Sequence, residues 1–504
     1  MTLEPTHEQQ AAIEAFAGDS QIILEAGAGA GKTSTLKMLA ATKPRRRGVY
    51  FAFNKAVATE AQASFPRNVH CATAHSFAFR AVGRQFAHRL NGPRMPGREI
   101  ARILGVNEPF QISPELMLAP QQVARIAMEM VTRFCYSADQ EIRASHLPAV
   151  NGVDTDAVRR ELAQLVLPLA RKAWADLSTA DGRLKFAHDH YLKLWQLSGP
   201  RLDADFVLLD EAQDCNPVVT DVFNHQAGAQ RVLVGDSNQS IYAWRGAVDA
   251  IAGFDADHHL YLSQSFRFGQ AIADEANKWL TLLGATLRIT GTDRIASRVD
   301  DIGQADAVLC RTNAAAVAAL LDHHARNISV ALVGGGNDVR RLAEAAITLK
   351  AGAGTHHPEL CAFQTWAQVQ DYVDNDHGGS DLAVFVKLID THGPDTVIAA
   401  VDRAVDERRA RVTVSTAHKA KGREWTTVRI ADDFKRSRST KPNGPDRDDV
   451  GDDELKPPSR PDQMLAYVAV TRARSVLDRG GVAWIDGLLA ALKPASRLPQ
   501  RGVA

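Results

Sequence analysis

The sequence predicts an α/β fold with two parallel sheets, each interrupted by an inserted helical segment. Short apolar runs that stop at Gly or Asp alternate with stretches of helical period, which favours parallel sheets whose ligands bind beyond the strands' carboxyl ends. In the first half, these runs are residues 21–26, 206–210 and 231–236. The pattern restarts at residues 307–310, 329–333, 412–415 and 427–430, which predicts the second sheet.

The two predicted sheets define two lobes, and one stretch within each lobe is mainly helical in period. We expect the first lobe at residues 1–77 and 181–260, with a helical insertion at residues 78–180. We expect the second lobe at residues 261–334 and 406–504, with a reduced insertion at residues 335–405.

Composition excludes few function classes. The 504 residues are 45% hydrophobic and 23% charged, as in ordinary soluble proteins. The formal net charge is zero, so a nucleic-acid partner would need a local basic stripe. The five scattered cysteines indicate free thiols in a reducing compartment. We find no signal-peptide pattern and no apolar run of about 20 residues, so we expect a cytoplasmic protein without a membrane partner.

The string AGAGAGKTST follows a predicted strand and opens a predicted helix, which is the context of a phosphate-binding loop. Gly27, Gly29 and Gly31 would let backbone N–H groups curl around phosphates at the helix N-terminus. Lys32 would neutralise the β- and γ-phosphates of ATP, and Thr33 would hold Mg²⁺. A plain Gly-rich turn is the alternative, but strand, loop, Lys-Thr pair and helix together favour the nucleotide site.

The string DEAQD follows the second predicted strand. Asp210 can bind the Mg²⁺, and Glu211 can accept the proton of the attacking water. A lone Asp-Glu pair would more often be an acidic turn, but the upstream phosphate loop favours a catalytic role.

The string VGDSNQSIYAWRGA combines a polar sensor candidate, Gln239, with two aromatic residues and a cation. Tyr242, Trp244 and Arg245 are the residue types that line a channel for unpaired bases, since stacking tolerates any base. On this string alone, a core position for Tyr242 and Trp244 remains an equally good interpretation.

The ordered motifs resemble those of superfamily 1 helicases of the UvrD/Rep type, and most closely the helicase core of F-box DNA helicases. The string THEQQAAI resembles the adenine-reading Gln motif, and because it begins at residue 6 we expect no F-box before it. The remaining resemblance lies in YFAFNKAVATEA and TAHSF of the first lobe, and in SQSFRFG, VLCRTN, VSTAHKAKGREW and YVAVTRAR of the second. This resemblance implies two RecA-like lobes that use ATP and Mg²⁺.

The resemblance also implies roles at the nucleotide. Gln9 would read the adenine, Phe266 would stack on it and Glu424 would contact the ribose. Arg267 and Arg472 would act as arginine fingers on the γ-phosphate. Gln239 would report the state of that phosphate to the DNA-binding aromatic residues.

Further side chains would contact DNA. The resemblance implies contacts by Phe53, Asn54, Thr73, His75, Thr416 and His418. Relatives of the UvrD type usually have the stacking Phe two residues before the Asn-Lys pair. Ala52 occupies that position here, so the role passes to Phe53, as in the F-box type.

These expectations describe an ATP-dependent DNA helicase that moves 3′ to 5′ on single-stranded DNA in repair or recombination. Its partners would be single-stranded DNA, single-strand/duplex junctions and a nuclease, recombinase or accessory protein. Two alternatives stay open: an ATP-gated module that clears proteins from strands, and the motor subunit of a nuclease complex. An RNA helicase is less favoured, because DEAQD with the string around Gln239 resembles the DNA branch.

Overall fold

The computed structural model describes residues 4–492 apart from 91, 94, 114–115, 151–152, 154, 243–245, 356, 358–359, 361–362, 376–379 and 435–456. The chain divides into two compact units. The first comprises Met1–Ala26 and Gly31–Leu262, and the second comprises Gly27–Ala30 and Ser263–Ala504.

The first unit is built on a six-stranded sheet with the strand order β3-β2-β6-β7-β1-β8, in which every pairing is parallel. Its strands and those of a separate hairpin, β4-β5, are β1 (Ile22–Ala26), β2 (Gly48–Phe51), β3 (Val69–Ala72), β4 (Phe110–Ser113), β5 (Leu116–Leu118), β6 (Phe206–Leu209), β7 (Gln230–Gly235) and β8 (His258–Leu262). Because β6, β7 and β1 are neighbours, the segments that follow them meet at one edge of the sheet.

Ten α-helices accompany this sheet in the described residues. They are α1 (His7–Ala17), α2 (Lys32–Thr42), α3 (Lys55–Ser64), α4 (Ala74–Ala81), α5 (Ala87–Leu90), α6 (Gly97–Leu104), α7 (Pro120–Cys135), α8 (Asp156–Leu177), α9 (His188–Leu197) and α10 (Pro217–Asn224). One hydrophobic core runs from Phe51 and Leu209 on the sheet to Met130 of α7 and Val166 of α8. The helices inserted between β3 and β6 are therefore packed onto the sheet by continuous apolar contact.

The second unit contains another six-stranded parallel sheet, with the strand order β11-β12-β10-β13-β14-β9. The strands are β9 (Arg298–Val299), β10 (Ala307–Cys310), β11 (Val330–Leu332), β12 (Val412–Thr416), β13 (Trp425–Ile430) and β14 (Ala473–Asp478). The α-helices in the described residues are α11 (Gln270–Leu282), α12 (Asn313–Ala325), α13 (Asn337–Lys350), α14 (Trp366–Asn375), α15 (Ser380–His392), α16 (Pro394–Asp402), α17 (Ala417–Ala420), α18 (Arg460–Val470) and α19 (Ile485–Leu492).

Helices α13 to α16 lie between β11 and β12 in the chain and share one buried cluster with α12. Leu349, Val369 and Ile389 of the inserted helices belong to this cluster, together with Ala314 and Val317 of α12. The second insertion is therefore anchored on a helix of its own sheet.

The structure confirms the predicted α/β class with two parallel sheets. Each predicted strand is present, and its ends differ from the prediction by at most two residues. The sequence did not reveal β2, β3, β8, β9, β14 or the β4-β5 hairpin. Except for β2, a buried apolar run of four residues, these strands have at most three residues or mix polar with apolar side chains. Within the described part of the chain, no helix combines the length and apolar character that a membrane span requires.

Candidate nucleotide and DNA sites

The loop between β1 and α2 has the backbone conformation that its glycines allow. Gly29 has φ 75° and Gly31 has φ 74°, in the left-handed region that side chains disfavour. The loop closes on itself, since Ala30 N–H donates to Gly27 O at 3.1 Å. Gly31 precedes the first turn of α2, and no side chain among the described residues caps that turn. The uncapped N–H groups of a helix N-terminus suit a phosphate.

Charged side chains converge beside this loop from α2 and from the end of β6. Lys32 Nζ donates to Glu211 Oε2 at 2.9 Å, and the lysine side chain is mostly buried. Burial lowers the pKa of Lys32, but the nearby carboxylates of Glu211, Asp210 and Asp236 outweigh burial and raise that pKa above its ordinary value. Lys32 is therefore a fixed positive charge at the loop.

Thr33 and Asp210 supply oxygen atoms of the kind that Mg²⁺ prefers. Thr33 Oγ1 donates to Asp210 Oδ2 at 3.0 Å, and Tyr50 OH donates to the same oxygen at 2.7 Å. Burial and the neighbouring Glu211 carboxylate raise the pKa of Asp210. No group of three or more His, Cys, Asp or Glu in the described residues could hold a metal by itself. Protein Mg²⁺ sites commonly combine one or two carboxylates with substrate phosphates, so this donor set fits.

Two glutamines predicted to act at the nucleotide are each held by hydrogen bonds to other residues of the first unit. Gln9 is buried, donates from Nε2 to Thr35 Oγ1 on α2 at 3.0 Å, and accepts Thr6 N–H at 3.0 Å. Gln239 follows β7 and donates to Asp236 Oδ2 at 2.6 Å. The Gln9 amide is therefore held against α2, and the Gln239 amide is held against the segment that follows β7.

Phe53 and Tyr242 form an aromatic pair at the surface of the first unit. Their rings are nearly parallel, with centroids 6.4 Å apart and an interplanar angle of 19°. The Phe53 side chain is 49% exposed, whereas Ala52 is buried. Two parallel rings with an exposed face are suited to base stacking. Trp244 and Arg245 lie outside the described residues.

Asn54 and Thr73, both predicted DNA contacts, are helix caps in the structure. Asn54 Oδ1 accepts Val57 N–H at 2.9 Å at the start of α3, and Thr73 Oγ1 accepts Ser76 N–H at 3.1 Å at the start of α4. A cap satisfies backbone groups that would otherwise lack partners. These two residues thus place helix N-termini at the carboxyl ends of β2 and β3.

His75 belongs to a polar cluster that includes Asp189 of α9. Asp189 Oδ1 accepts a hydrogen bond from His75 Nε2 at 3.2 Å, and Asp189 Oδ2 accepts one from Tyr136 OH at 3.1 Å. Burial and hydrogen bonding to Asp189 raise the pKa of Tyr136 to about 12. The carboxylate therefore fixes the orientation of the predicted DNA-binding imidazole.

In the second unit, Thr471 links both predicted arginine fingers. Arg267 donates to Glu424 Oε2 at 2.8 Å and to Thr471 O at 3.2 Å. Arg472 is 1% exposed and donates to Val468 O at 2.8 Å and to Thr471 Oγ1 at 2.9 Å. The second unit therefore brings together Arg267, Arg472 and the predicted ribose contact, Glu424.

The remaining predicted site residues of the second unit are Phe266, Thr416 and His418. Phe266 is 44% exposed, which leaves its ring accessible for stacking. Thr416 ends β12, and its hydroxyl accepts Lys419 N–H at 3.4 Å as the cap of α17, the helix that carries His418. Thr416 and His418 thus follow the carboxyl end of β12.

Sequence reasoning missed Tyr50, Gln213 and Asp189 as partners of predicted site residues. Gln213 was visible within the DEAQD string, two residues after Glu211, but the sequence could not show that its side chain is buried. Tyr50 and Asp189 reach the site only through tertiary packing.

Comparison with known proteins adds an independent finding. Residues 195–259, which include β6, β7 and the segments after them, match the UvrD/REP helicase N-terminal domain. F-box DNA helicase 1 of Gallus gallus is 29% identical over 94% of this chain and 48% of its own length. F-box DNA helicase protein 1 of Schizosaccharomyces pombe is 26% identical over 85% of this chain and 53% of its own length.

The chain spans about half the length of these two curated relatives. A shorter match, 38% identical over 14% of the chain, is to ATP-dependent DNA helicase PcrA of Leuconostoc citreum. Two parallel sheets, a phosphate loop after β1 and acids after β6 accompany this similarity. The chain is thus similar to UvrD-like DNA helicases, by a family match at residues 195–259 and by similarity to F-box DNA helicases over most of its length.

Proposed function

We propose that the chain is a DNA-stimulated ATPase that moves 3′ to 5′ along single-stranded DNA. The observation that carries this proposal is the grouping of Lys32, Thr33, Asp210 and Glu211 at the edge of the first sheet. The 3′ to 5′ direction, and the assignment to repair or recombination, rest on the family resemblance.

Hydrolysis would follow from charges that the fold already holds in position. Lys32 would bind the phosphate oxygens of ATP, because its ammonium is fixed at the loop by neighbouring carboxylates. Glu211 would accept a proton from the attacking water. Thr33 and Asp210 would hold Mg²⁺, which supplies positive charge to the phosphates when bound. Preorganised charges of this kind stabilise the transition state without reorganisation during the reaction.

The arginine roles depend on the family resemblance. Arg267 and Arg472 would stabilise negative charge on the transferred phosphoryl group, as arginine fingers do in related NTPases. Thr471 would fix the position of one guanidinium group relative to the other, since Arg267 donates to its carbonyl oxygen and Arg472 donates to its hydroxyl.

DNA binding would use the aromatic pair of the first unit, in which Phe53 is half exposed and Tyr242 is partly buried. Phe53 and Tyr242 present parallel rings, and stacking on such rings accepts any base. Tyr242 lies three residues after Gln239, the predicted phosphate sensor, so a short segment connects the two functions. Movement by about one nucleotide per ATP is what the resemblance implies.

ATP turnover by the purified chain tests this proposal. We expect single-stranded DNA to stimulate hydrolysis more than RNA of the same length, and translocation to displace a block from the 5′ end of a strand. Absence of DNA stimulation would refute the proposal. Equal stimulation by RNA would instead favour an RNA-directed motor, and displacement only at the 3′ end would reverse the assigned polarity.

A second candidate is a translocase that clears proteins from strands and unwinds little duplex by itself. The observation that favours it is the second insertion, whose helices share a core with α12. Comparing displacement of a strand-bound protein with separation of a 3′-tailed duplex distinguishes the two activities.

A further inference from the structure

Gln213 lies between the predicted catalytic base and the end of the neighbouring strand. It is fully buried in the turn Ala212–Asp214 that follows β6. Its Nε2 donates to Glu211 Oε2 at 2.6 Å, and its Oε1 accepts Asp236 N–H at 2.9 Å. One amide therefore bridges the segments that leave β6 and β7.

The last residue of β7 makes room for this amide. A Cβ atom at Gly235 would lie 2.5 Å from Gln213 Oε1, closer than real Cβ contacts come. Gly235 is not among the residues with positive φ, so its backbone conformation does not require glycine. The space that Gly235 leaves is what allows Gln213 to reach Asp236 N–H.

The bridge continues on both sides. On one side, Glu211 accepts from Lys32 at 2.9 Å through the same Oε2 that Gln213 contacts. On the other side, Asp236 Oδ2 accepts from Gln239 Nε2 at 2.6 Å. A continuous series of hydrogen bonds thus connects the phosphate-loop lysine with the predicted sensor glutamine.

Glu211 has a backbone conformation that benefits from such a restraint. Its φ of 52° lies in the left-handed region, where non-glycine residues are uncommon. A catalytic carboxylate must be held within about 0.5 Å of its working position by groups that are themselves fixed. Gln213 meets this requirement, because its own amide oxygen accepts the backbone N–H of Asp236, the residue that follows β7.

We propose that Gln213 is a positioning residue that holds the Glu211 carboxylate for proton transfer and connects it to the Gln239 segment. This inference rests on the proposed ATPase function. An amide suits the role, because it donates to a carboxylate and accepts from a backbone N–H at the same time. Leucine or methionine would fill the same space without either bond.

Gln226 provides a matched control for loss of a buried amide. It is also buried in the first unit, donates to Pro200 O at 2.9 Å and Val222 O at 2.7 Å, and accepts Leu202 N–H at 2.9 Å. These partners are backbone atoms without a proposed catalytic role. A Gln226→Met variant therefore measures the cost of losing a buried amide away from the site.

The test compares Gln213→Met with Gln226→Met in the full chain, by melting temperature and by DNA-stimulated ATPase kinetics. Both variants should melt earlier than wild type. Gln213→Met should lower kcat about 10- to 100-fold, the usual effect of removing a supporting hydrogen bond. Its KM for ATP should change little, because Lys32 and Thr33 remain, whereas Gln226→Met should keep wild-type kcat. Equal kcat losses in both variants, or a loss confined to KM, would overturn the inference.

Gln213→Glu tests the hydrogen bond to Glu211 separately from the hydrogen bond to Asp236 N–H. It also provides a second variant if Gln213→Met fails to fold. It keeps an acceptor for Asp236 N–H but removes the amide donor to Glu211. We expect low kcat with ATP binding retained, and wild-type kcat would overturn the inference. If wild type itself shows no DNA-stimulated turnover, the proposed function fails. If wild type is active and both Gln213 variants match it, only the inference about Gln213 fails.

Discussion

Lys32 Nζ lies 2.9 Å from Glu211 Oε2, so the lysine of the phosphate loop and the proposed catalytic base form an ion pair. Phosphate oxygens that bind Lys32 would share its three N–H donors with Glu211. We therefore expect ATP binding to weaken this ion pair and to leave the Glu211 carboxylate better able to accept a proton.

Lys32→Ala should abolish ATP hydrolysis while leaving the protein folded. Loss of the positive charge at the phosphates should reduce the rate by several powers of ten. The measurement is DNA-stimulated ATP turnover, with the melting temperature as a check on folding. Lys43→Ala is the matched control, since Lys43 follows the same helix and pairs with Asp19 away from the site. DNA-stimulated turnover that survives in Lys32→Ala would show that the nucleotide site is misassigned.

Glu211→Gln should still bind ATP with Mg²⁺ but should stall before hydrolysis. Thr33 and Asp210 remain in contact in this variant, whereas the proton acceptor is lost, which costs about 10²- to 10⁴-fold in rate. Titration with a fluorescent ATP analogue measures binding, and single-turnover hydrolysis measures the chemical step. A variant that loses nucleotide affinity and keeps its hydrolysis rate would contradict the separate roles of Asp210 and Glu211.

Phe53→Ala should weaken binding to single-stranded DNA by about 1–3 kcal/mol, the usual contribution of one stacked base. The ring is half exposed and lies parallel to Tyr242, so its removal should cost little stability. Fluorescence anisotropy with a labelled oligonucleotide gives the affinity. Met117→Ala removes another exposed apolar side chain from the first unit and should leave DNA affinity unchanged. Unchanged affinity in Phe53→Ala, with a sharp drop in melting temperature, would assign Phe53 a structural role.

The sequence was sufficient to predict site residues that lie next to each other in the chain. Lys32 and Thr33 follow a strand directly, and a contiguous string places both at a helix N-terminus. The contact between His75 and Asp189 joins residues 114 positions apart, and only the packing of α9 against α4 creates it. No local pattern encodes such a pairing. Likewise, Gln213 was visible in the sequence only as a member of the DEAQD motif. The positioning role that we propose for it depends on the missing side chain at Gly235, which leaves space for the Gln213 amide.

Asp189→Asn should destabilise the protein in a pH-dependent way. Burial raises the pKa of Asp189, but hydrogen bonds from His75 and Tyr136 outweigh burial and hold that pKa below its ordinary value. A carboxyl with a lowered folded-state pKa stabilises the fold above its unfolded pKa, and this contribution is lost as pH falls through the folded pKa. The difference in melting temperature from wild type should therefore be largest near neutral pH and shrink below about pH 4.

The exposed Asp203, which pairs with Arg47, provides the control for the pH series. Asp203→Asn should change the melting temperature little at any pH, because exposed ion pairs contribute little stability. A difference between Asp189→Asn and wild type that stays constant across the pH range would contradict the lowered pKa of Asp189.

The second insertion should limit how well single molecules unwind duplex DNA. Residues 335–405 number only about seventy, and helices α13 to α16 bury their apolar side chains against α12, including Val317. In UvrD-type helicases, the resemblance implies that a larger insertion grips duplex DNA and regulates unwinding by rotation. A small insertion that shares its core with the lobe offers less surface for duplex contact and could rotate only by exposing that core, at about 25 cal/mol for each Å² of apolar surface.

We therefore expect a monomer that translocates well on single strands but separates long duplexes poorly unless a partner protein supplies duplex contact. Translocation and unwinding should be measured on one preparation, at concentrations where the chain is monomeric by light scattering. Short 3′-tailed duplexes should open in a single turnover, whereas the yield should fall steeply as the duplex lengthens. Processive unwinding of long duplexes by isolated monomers would refute this prediction, whatever the ATPase rate. It would show that the core shared with α12 does not limit duplex unwinding.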